Sequence, residues 1–275
     1  MRARPVVVAL FLLGLSCMGG AQNPGETPVT TTLMSWNVQG QVTLDGEAPL
    51  VAAIATRIAA SAPDFVGLQE CVRCDRLESR LPDRYRILGP GHTGVAIAYD
   101  TGLWDVAETG ELLLGSNDDG WGDRIARWGR FRHRASRRSL YVYSTHWCVT
   151  VRRSDDRCDP ARQLDYARAL IEHMDSRRHG KAPVVLAGDL NVFDGFEDAE
   201  PMRYLLANQM VDAFRAAHPT RESPTFEGNH FAPAGRIDYL LAARPVQVLS
   251  ASSPEQPGAS DHRPVLATVS FPGSR

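Results

Sequence analysis

The sequence predicts a domain in which sheet strands and helices mix, with strands in the majority. Three observations carry this. Short apolar runs such as Val184-Val185-Leu186-Ala187 and Phe65-Val66-Gly67-Leu68 have the length and β-branched content of buried strands. Two longer segments, 48–60 and 160–176, instead repeat their apolar residues at helical spacing. Several of the strand-like runs also share an ending: they stop at, or carry, a residue of metal-binding or acid–base type. The chain has 275 residues, 43% of them hydrophobic, enough for one large domain or two small ones with a sizeable core. No internal repeat or long low-complexity linker divides it.

Taken in order, residues 1–21 read as a secretory signal peptide. Met1-Arg2-Ala3-Arg4 is basic, 6–15 is apolar, and 16–21 is small and neutral, with cleavage expected between Ala21 and Gln22. The apolar run is short for a bilayer span. Lipid modification of Cys17, as in bacterial lipoproteins, is a minor alternative that Gly14-Leu15-Ser16 fits poorly. The mature protein is therefore expected in the periplasm or outside the cell. Residues 22–30 are Pro/Thr-rich and read as a flexible leader; the folded domain is expected over 31–271.

Within that domain a first strand, 32–38, carries Asn37 where its apolar pattern stops. A helix over 48–60 follows, with Leu50, Ile54 and Ile58 on one side and Pro63 beyond it. Strand 64–70 ends in Glu70. A short helix at 77–81 precedes two strands, 85–88 and 94–99, around a Gly-Pro-Gly turn. Segment 103–114 continues the sheet, and 116–120 is a turn. Strand 139–146 ends in His146, and a polar loop leads to the amphipathic helix at 160–176. The next strand ends in Gly188-Asp189-Leu190-Asn191, where Gly188 permits a close approach. A helix at 200–208 and a loop at 225–231 precede a strand, 236–241, that carries Asp238. A segment at 246–249 pairs nearby. Asp261 and His262 occupy a turn before the last strand, 265–269.

The formal charge is −2 and the pI about 6.4. Removing Arg2 and Arg4 from 30 basic residues leaves 28 against 32 acidic ones, so the mature chain is no polycation for nucleic acid. Arginines at 124, 127, 130, 132, 134, 137 and 138 crowd one stretch and read mainly as the solvated faces of a hairpin. Arg127, before Trp128 and Phe131, is the arginine picked to face a phosphate. Without Cys17 the chain keeps Cys71, Cys74, Cys148 and Cys158. An even count in an exported protein points to disulfides, and sequence proximity favours Cys71–Cys74 and Cys148–Cys158. A zinc site is the competing reading, and the spacing of the second pair does not suit it.

Taken singly, each polar strand end has a dull explanation: an Asx turn at Asp189, a satisfied core histidine at His146, a paired buried acid at Asp238. Their joint occurrence is harder to dismiss, because open sheets gather such residues at one edge. Ser35-Trp36-Asn37, Leu68-Gln69-Glu70, Ser144-Thr145-His146, Gly188-Asp189-Leu190-Asn191, Arg236-Ile237-Asp238-Tyr239 and Ser260-Asp261-His262 together resemble the ordered motif set of the endonuclease/exonuclease/phosphatase superfamily, the DNase-I-like fold. The resemblance runs from about residue 33 to 269. It implies an α+β fold, a four-layer α/β/β/α sandwich of two mixed β-sheets packed face to face with helices outside.

It also implies a phosphate-ester hydrolase using Mg²⁺, with Mn²⁺ or Ca²⁺ as alternatives. Carried over residue by residue, Glu70 is the main metal ligand, with Asn37 and Asp261 beside it. Asp189 orients and deprotonates the attacking water, and Asn191 holds its geometry or a phosphate oxygen. His146 and His262 donate to the phosphoryl oxygens, and Asp238 fixes the tautomer of His262. Trp147 stands where relatives often have Leu. For the substrate, a nuclease or small-diester phosphodiesterase competes with a sphingomyelinase-type phospholipid or inositol-phosphate hydrolase. The lipid reading needs an exposed aromatic loop, for which Trp121 and Trp128 are the candidates. A non-catalytic binding protein on the same scaffold is a third reading, disfavoured because every motif position keeps a competent residue. A monomer is expected.

Overall fold

The computed structural model describes residues 27–40, 48–89, 93–118, 120–150, 158–178, 182–195, 199–229, 232–255 and 258–272. The stretch read as a signal peptide, with Cys17, lies outside them. The first strand, β1, is Val29–Asn37. It starts inside the segment expected to be leader, because Val29 pairs with Phe271 of the last strand, β12 (Val265–Phe271).

Two parallel strand pairs organise the chain. A parallel pair needs a crossover, which an amphipathic helix supplies. Helix α1 (Ala48–Ser61) carries the chain from β1 to β2 (Phe65–Gln69), which lies parallel to β1. Much later α3 (Pro160–Arg178) carries it from β7 (Ser139–His146) to β8 (Val184–Asp189), again parallel. Between them come the short helix α2 (Cys74–Glu78) and strands β3 (Tyr85–Leu88), β4 (Ala96–Asp100), β5 (Trp104–Gly115) and β6 (Arg124–His133). After β8 come α4 (Glu200–Ala207), β9 (Met210–Asp212), α5 (Ala213–Ala217), β10 (Asp238–Ala243) and β11 (Gln247–Ser252).

The strands form two six-stranded mixed sheets, ordered β11-β12-β1-β2-β4-β3 and β5-β6-β7-β8-β10-β9. They pack face to face over an apolar layer that includes Leu33, Phe65, Phe131, Val142, Val185 and Ala267. Helices α1 and α2 cover the first sheet through Trp36, Ile54, Ile58, Leu68 and Leu77. Helix α3 covers the second through Tyr143, Trp147, Tyr166, Leu170 and Leu186. This is the expected four-layer sandwich. The sheets approach closely at Gly67, where a Cβ would lie 2.3 Å from that of Ala187, so only glycine fits there.

The topology decides where the polar strand ends go. The parallel pairs bring Asn37 and Glu70 to one edge of the first sheet, and His146 and Asp189 to one edge of the second. Strand β12 runs antiparallel to β1 and β10 antiparallel to β8, so their starts, with His262 and Asp238, fall at the same edges. Disulfides join Cys71 to Cys74 just beyond Glu70, and Cys148 to Cys158 just beyond His146.

Candidate active site

Asp189 is the centre of the edge. In the second sheet its cross-strand neighbours are Asp238 and His146. Its Oδ2 accepts from Asn37 Nδ2 at 3.0 Å and lies 3.5 Å from His146 Nε2 and 3.9 Å from His262 Nε2. Its Oδ1 accepts from the Asn191 backbone N–H at 3.1 Å. The carboxylate is 1% exposed, so neighbours must replace its lost water. Burial and the adjacent Asp238 push its pKa up to about 7, against the pull of His262 and Asn37.

His262 is built from the opposite sheet. Its Nδ1 lies 2.8 Å from Asp238 Oδ2, and the Phe226 ring sits against it at a centroid separation of 4.9 Å. Trp36 Nε1 donates to the His262 carbonyl, and the His262 N–H donates to Ser260 Oγ, whose hydroxyl bonds the Asn37 carbonyl. Burial alone would lower the imidazole pKa. Asp238, with help from Asp189 and Asp261, outweighs it and raises the group to about 10. The ring is thus held protonated, with Nδ1–H on Asp238 and Nε2–H facing Asp189.

Glu70 stands at the rim, half-buried, in the left-handed region at φ 55. Its Oε1 accepts from Asn37 Nδ2 at 2.9 Å and its Oε2 from the Gly40 N–H at 2.8 Å. Burial would raise its pKa; His146, the Gly40 N–H, Asn37 and His262 together lower it. The half-buried Asp261 is pushed up by burial, against His262, with the Glu70 charge adding to the rise. Two carboxylates repelling across one edge, beside a carboxamide, form a hard-oxygen donor set that suits a divalent cation. Asp189, Asp238 and His262 also place potential ligand atoms within 4.8 Å of one another. That triad is less suited, because His262 already spends Nδ1 on Asp238.

The structure therefore brings together Asn37, Glu70, His146, Asp189, Asp238, Asp261 and His262. Asn191 is beside them with φ 50, but its Nδ2 donates to the Trp147 carbonyl at 3.0 Å. Arg127 is engaged by partners outside the cluster. Its Nε donates to the Val95 carbonyl at 2.8 Å and its fork meets Glu111 at 2.7 Å. Of its neighbours in sequence, Arg130 and Arg134 pair with Glu108 and Asp105 as solvated hairpin faces do, while Arg124 and Arg138 are buried. Trp128 cannot join an exposed aromatic loop, being 3% exposed beneath the Arg177 guanidinium.

Three supporting residues escaped the sequence reading. Thr225 Oγ1 accepts from the Ile237 and Asp238 N–H groups, both at 3.1 Å, while its carbonyl accepts from Arg263 N–H at 2.6 Å. It clamps the starts of β10 and β12 together. Phe226 follows it onto the His262 face. Gln163 of α3 reaches the carbonyls of Cys148 at 2.9 Å and Asn191 at 3.2 Å, tying the ends of β7 and β8. The signal at 225–226 was a β-branched and an aromatic residue inside a polar segment.

The sequence matches the endonuclease/exonuclease/phosphatase family over residues 34–262. The chain belongs to this family. Solved structures similar to it include a member of the family from Bacteroides thetaiotaomicron, at 21% identity and TM-score 0.72, covering 90% of this chain and 97% of that one. A mannosyl-6-phosphatase from the same organism is 22% identical, with TM-score 0.70, over 88% of this chain and 100% of that one. TDP2 from D. rerio, complexed with a single-strand DNA product, is 17% identical, with TM-score 0.70, over 87% and 98%. At these identities the likeness is one of fold. No curated protein matches the sequence. The strand ends that form the cluster, from Asn37 to His262, span the family match.

Proposed function

We propose that this chain is an exported, divalent-metal-dependent phosphoesterase that hydrolyses a phosphodiester by in-line attack of water. One observation carries the reading: the buried Asp189 carboxylate stands between a protonated His262, His146 and Asn37, with Glu70 joined through the same Asn37 amide.

Each side chain has a task its surroundings support. Glu70, Asp261 and the Asn37 carboxamide would hold Mg²⁺ or a similar ion, which supplies charge neutralisation at the phosphoryl and leaving oxygens. Asp189, raised to about 7, takes a proton from water near neutral pH. His262 presents Nε2–H to a phosphoryl oxygen, and Asp238 keeps that proton in place. His146 offers a second donor. Asn191 fixes the 147–191 loop contact and the Asp189 carboxylate through its own N–H. The acidic mature chain and the engaged arginines favour a small diester over a nucleic-acid polymer.

The test is hydrolysis of bis-p-nitrophenyl phosphate. We expect turnover with Mg²⁺, its loss in EDTA and its return on adding metal. Glu70→Ala and His262→Ala should each lower kcat by about a hundredfold or more. Full activity in either variant would remove these residues from the site. Parallel assays on DNA, RNA, sphingomyelin and inositol phosphates identify the substrate, and turnover of none of them would favour a binding protein.

A further inference from the structure

Strand β2 ends at Gln69, and Glu70 turns out of it into the left-handed region at φ 55. Outside glycine that conformation costs free energy, and it persists only where the surroundings over-determine it. Three links act on the turn. The Cys71 N–H donates to the Gly94 carbonyl at 2.8 Å, tying the turn to the chain that enters β4. The Val72 N–H donates to the Glu70 carbonyl at 2.9 Å, closing the turn on itself. The third link is covalent: Cys71, the residue next to Glu70, is joined through sulfur to Cys74, the first residue of α2. The Glu70 side chain is aimed as a result, with Oε1 on Asn37 Nδ2 and Oε2 on the Gly40 N–H. A change of φ at Glu70 would swing the carboxylate off both.

Two other uses of a Cys-x-x-C pair fit less well. Redox-active cysteines sit partly exposed, whereas Cys71 and Cys74 are 0% and 1% exposed, in the cluster of Trp36, Leu68 and Leu77. General stabilisation by loop closure grows with the length of the loop. This link spans a separation of 3 residues, against 10 for Cys148–Cys158. Closing so short a stretch restricts the unfolded chain less, so the larger effect of the bond is local, on the turn it borders.

We propose that the Cys71–Cys74 disulfide is a positioning clamp for Glu70, holding the left-handed turn so that the carboxylate stays on Asn37 and Gly40 and presents its oxygens to the cation. This rests on the reading of Glu70 as a cation ligand and adds to it the device that aims the ligand. Groups that orient a ligand typically matter to metal affinity by a factor of about 10–100.

Cys71→Ala/Cys74→Ala tests this beside Cys148→Ala/Cys158→Ala, and the two double variants should respond in opposite order. Calorimetric titration with Mn²⁺ should show affinity about tenfold weaker in the first and near wild type in the second. The urea midpoint should fall further in the second. Hydrolysis of bis-p-nitrophenyl phosphate by the first should climb back towards the wild-type rate as Mg²⁺ is raised, at a folded fraction held constant by circular dichroism. In metal-free protein, amide hydrogen exchange at Gly40 should be faster in the first variant than in wild type, because its acceptor on Glu70 has moved. Cys71→Val/Cys74→Ala, which refills part of the lost volume, takes its place if the double alanine does not fold. Unchanged Gly40 exchange overturns the clamp, and so does an equal loss of Mn²⁺ affinity in both double variants. If Gly40 exchange rises while Mn²⁺ binding is absent from wild type or unaffected in the variant, the clamp stands and the reading of Glu70 as a cation ligand falls.

Discussion

At the scale of single residues, the site depends on one carboxylate setting the charge of another residue. Burial works against a charged His262, and Asp238 at 2.8 Å reverses it, raising the group to about 10. Protonation of His262 therefore adds stability that is fully present below its unfolded pKa, about 6.5, and lost as pH rises through about 10. Asp238→Asn keeps the shape and removes the charge. Burial then prevails, and His262 should lose its proton at a pH well below the wild-type value. The alkaline limb of kcat should move down by more than one pH unit, with kcat itself reduced about a hundredfold. An unchanged pH–rate profile would mean that His262 acts without its proton. Both positions were visible in the sequence, Asp238 because it stands inside an apolar run and His262 because it follows Asp261 in the turn before the last strand. The partners of Arg127 were not visible for the converse reason: a strand pattern gives a side chain's face but not which acid across the sheet will meet it, and Glu111 does.

At the scale of elements, the strands and long helices were readable because their apolar periodicity matches their burial. The supports between them were not. Thr225 lies in a segment without periodicity, and its value comes from the two strand starts it happens to join. Thr225→Val removes the acceptor for two buried N–H groups, each costing about 1–3 kcal/mol when left unmet. Because those donors belong to Ile237 and Asp238, the variant should lower kcat in its folded form, while KM stays near wild type. Thr225→Ser restores the acceptor and should recover most of the rate; equal loss in both variants would point to packing of the methyl group instead. The second disulfide also belongs to this scale. Cys148 and Cys158, 10 residues apart, close a loop between β7 and α3. Reduction should cost about 2–3 kcal/mol by the chain-entropy relation, seen as a lower urea midpoint. An unchanged midpoint in reductant would count against that link.

For the whole molecule, catalytic geometry and core packing are the same problem, because β1, β2, β7 and β8 fill the middle of both sheets and end in the site. Asn37, on one sheet, must reach Asp189, on the other, at 3.0 Å, so the distance between sheets is set to tenths of an ångström. Gly67 and Ala187 limit it: they oppose each other in a close approach of the two sheets, two residues before Gln69 and Asp189. The sequence alone does not reveal which residue of a distant strand Gly67 will face. Gly67→Ala forces a Cβ against that of Ala187 at 2.3 Å, closer than any real contact, so the sheets must part or the strands bend. Overpacking of this kind costs about 1–3 kcal/mol, and the displacement travels along rigid strands to the Asn37–Asp189 contact. Urea unfolding should show the loss, and kcat on bis-p-nitrophenyl phosphate should fall with it although no site residue has changed. Ala187→Gly in the same chain removes the opposing methyl and should restore both. The double-mutant cycle then yields a coupling well above the roughly 0.3–0.5 kcal/mol expected for independent sites. Additive effects, or recovered stability without recovered kcat, would show that sheet spacing does not control the site.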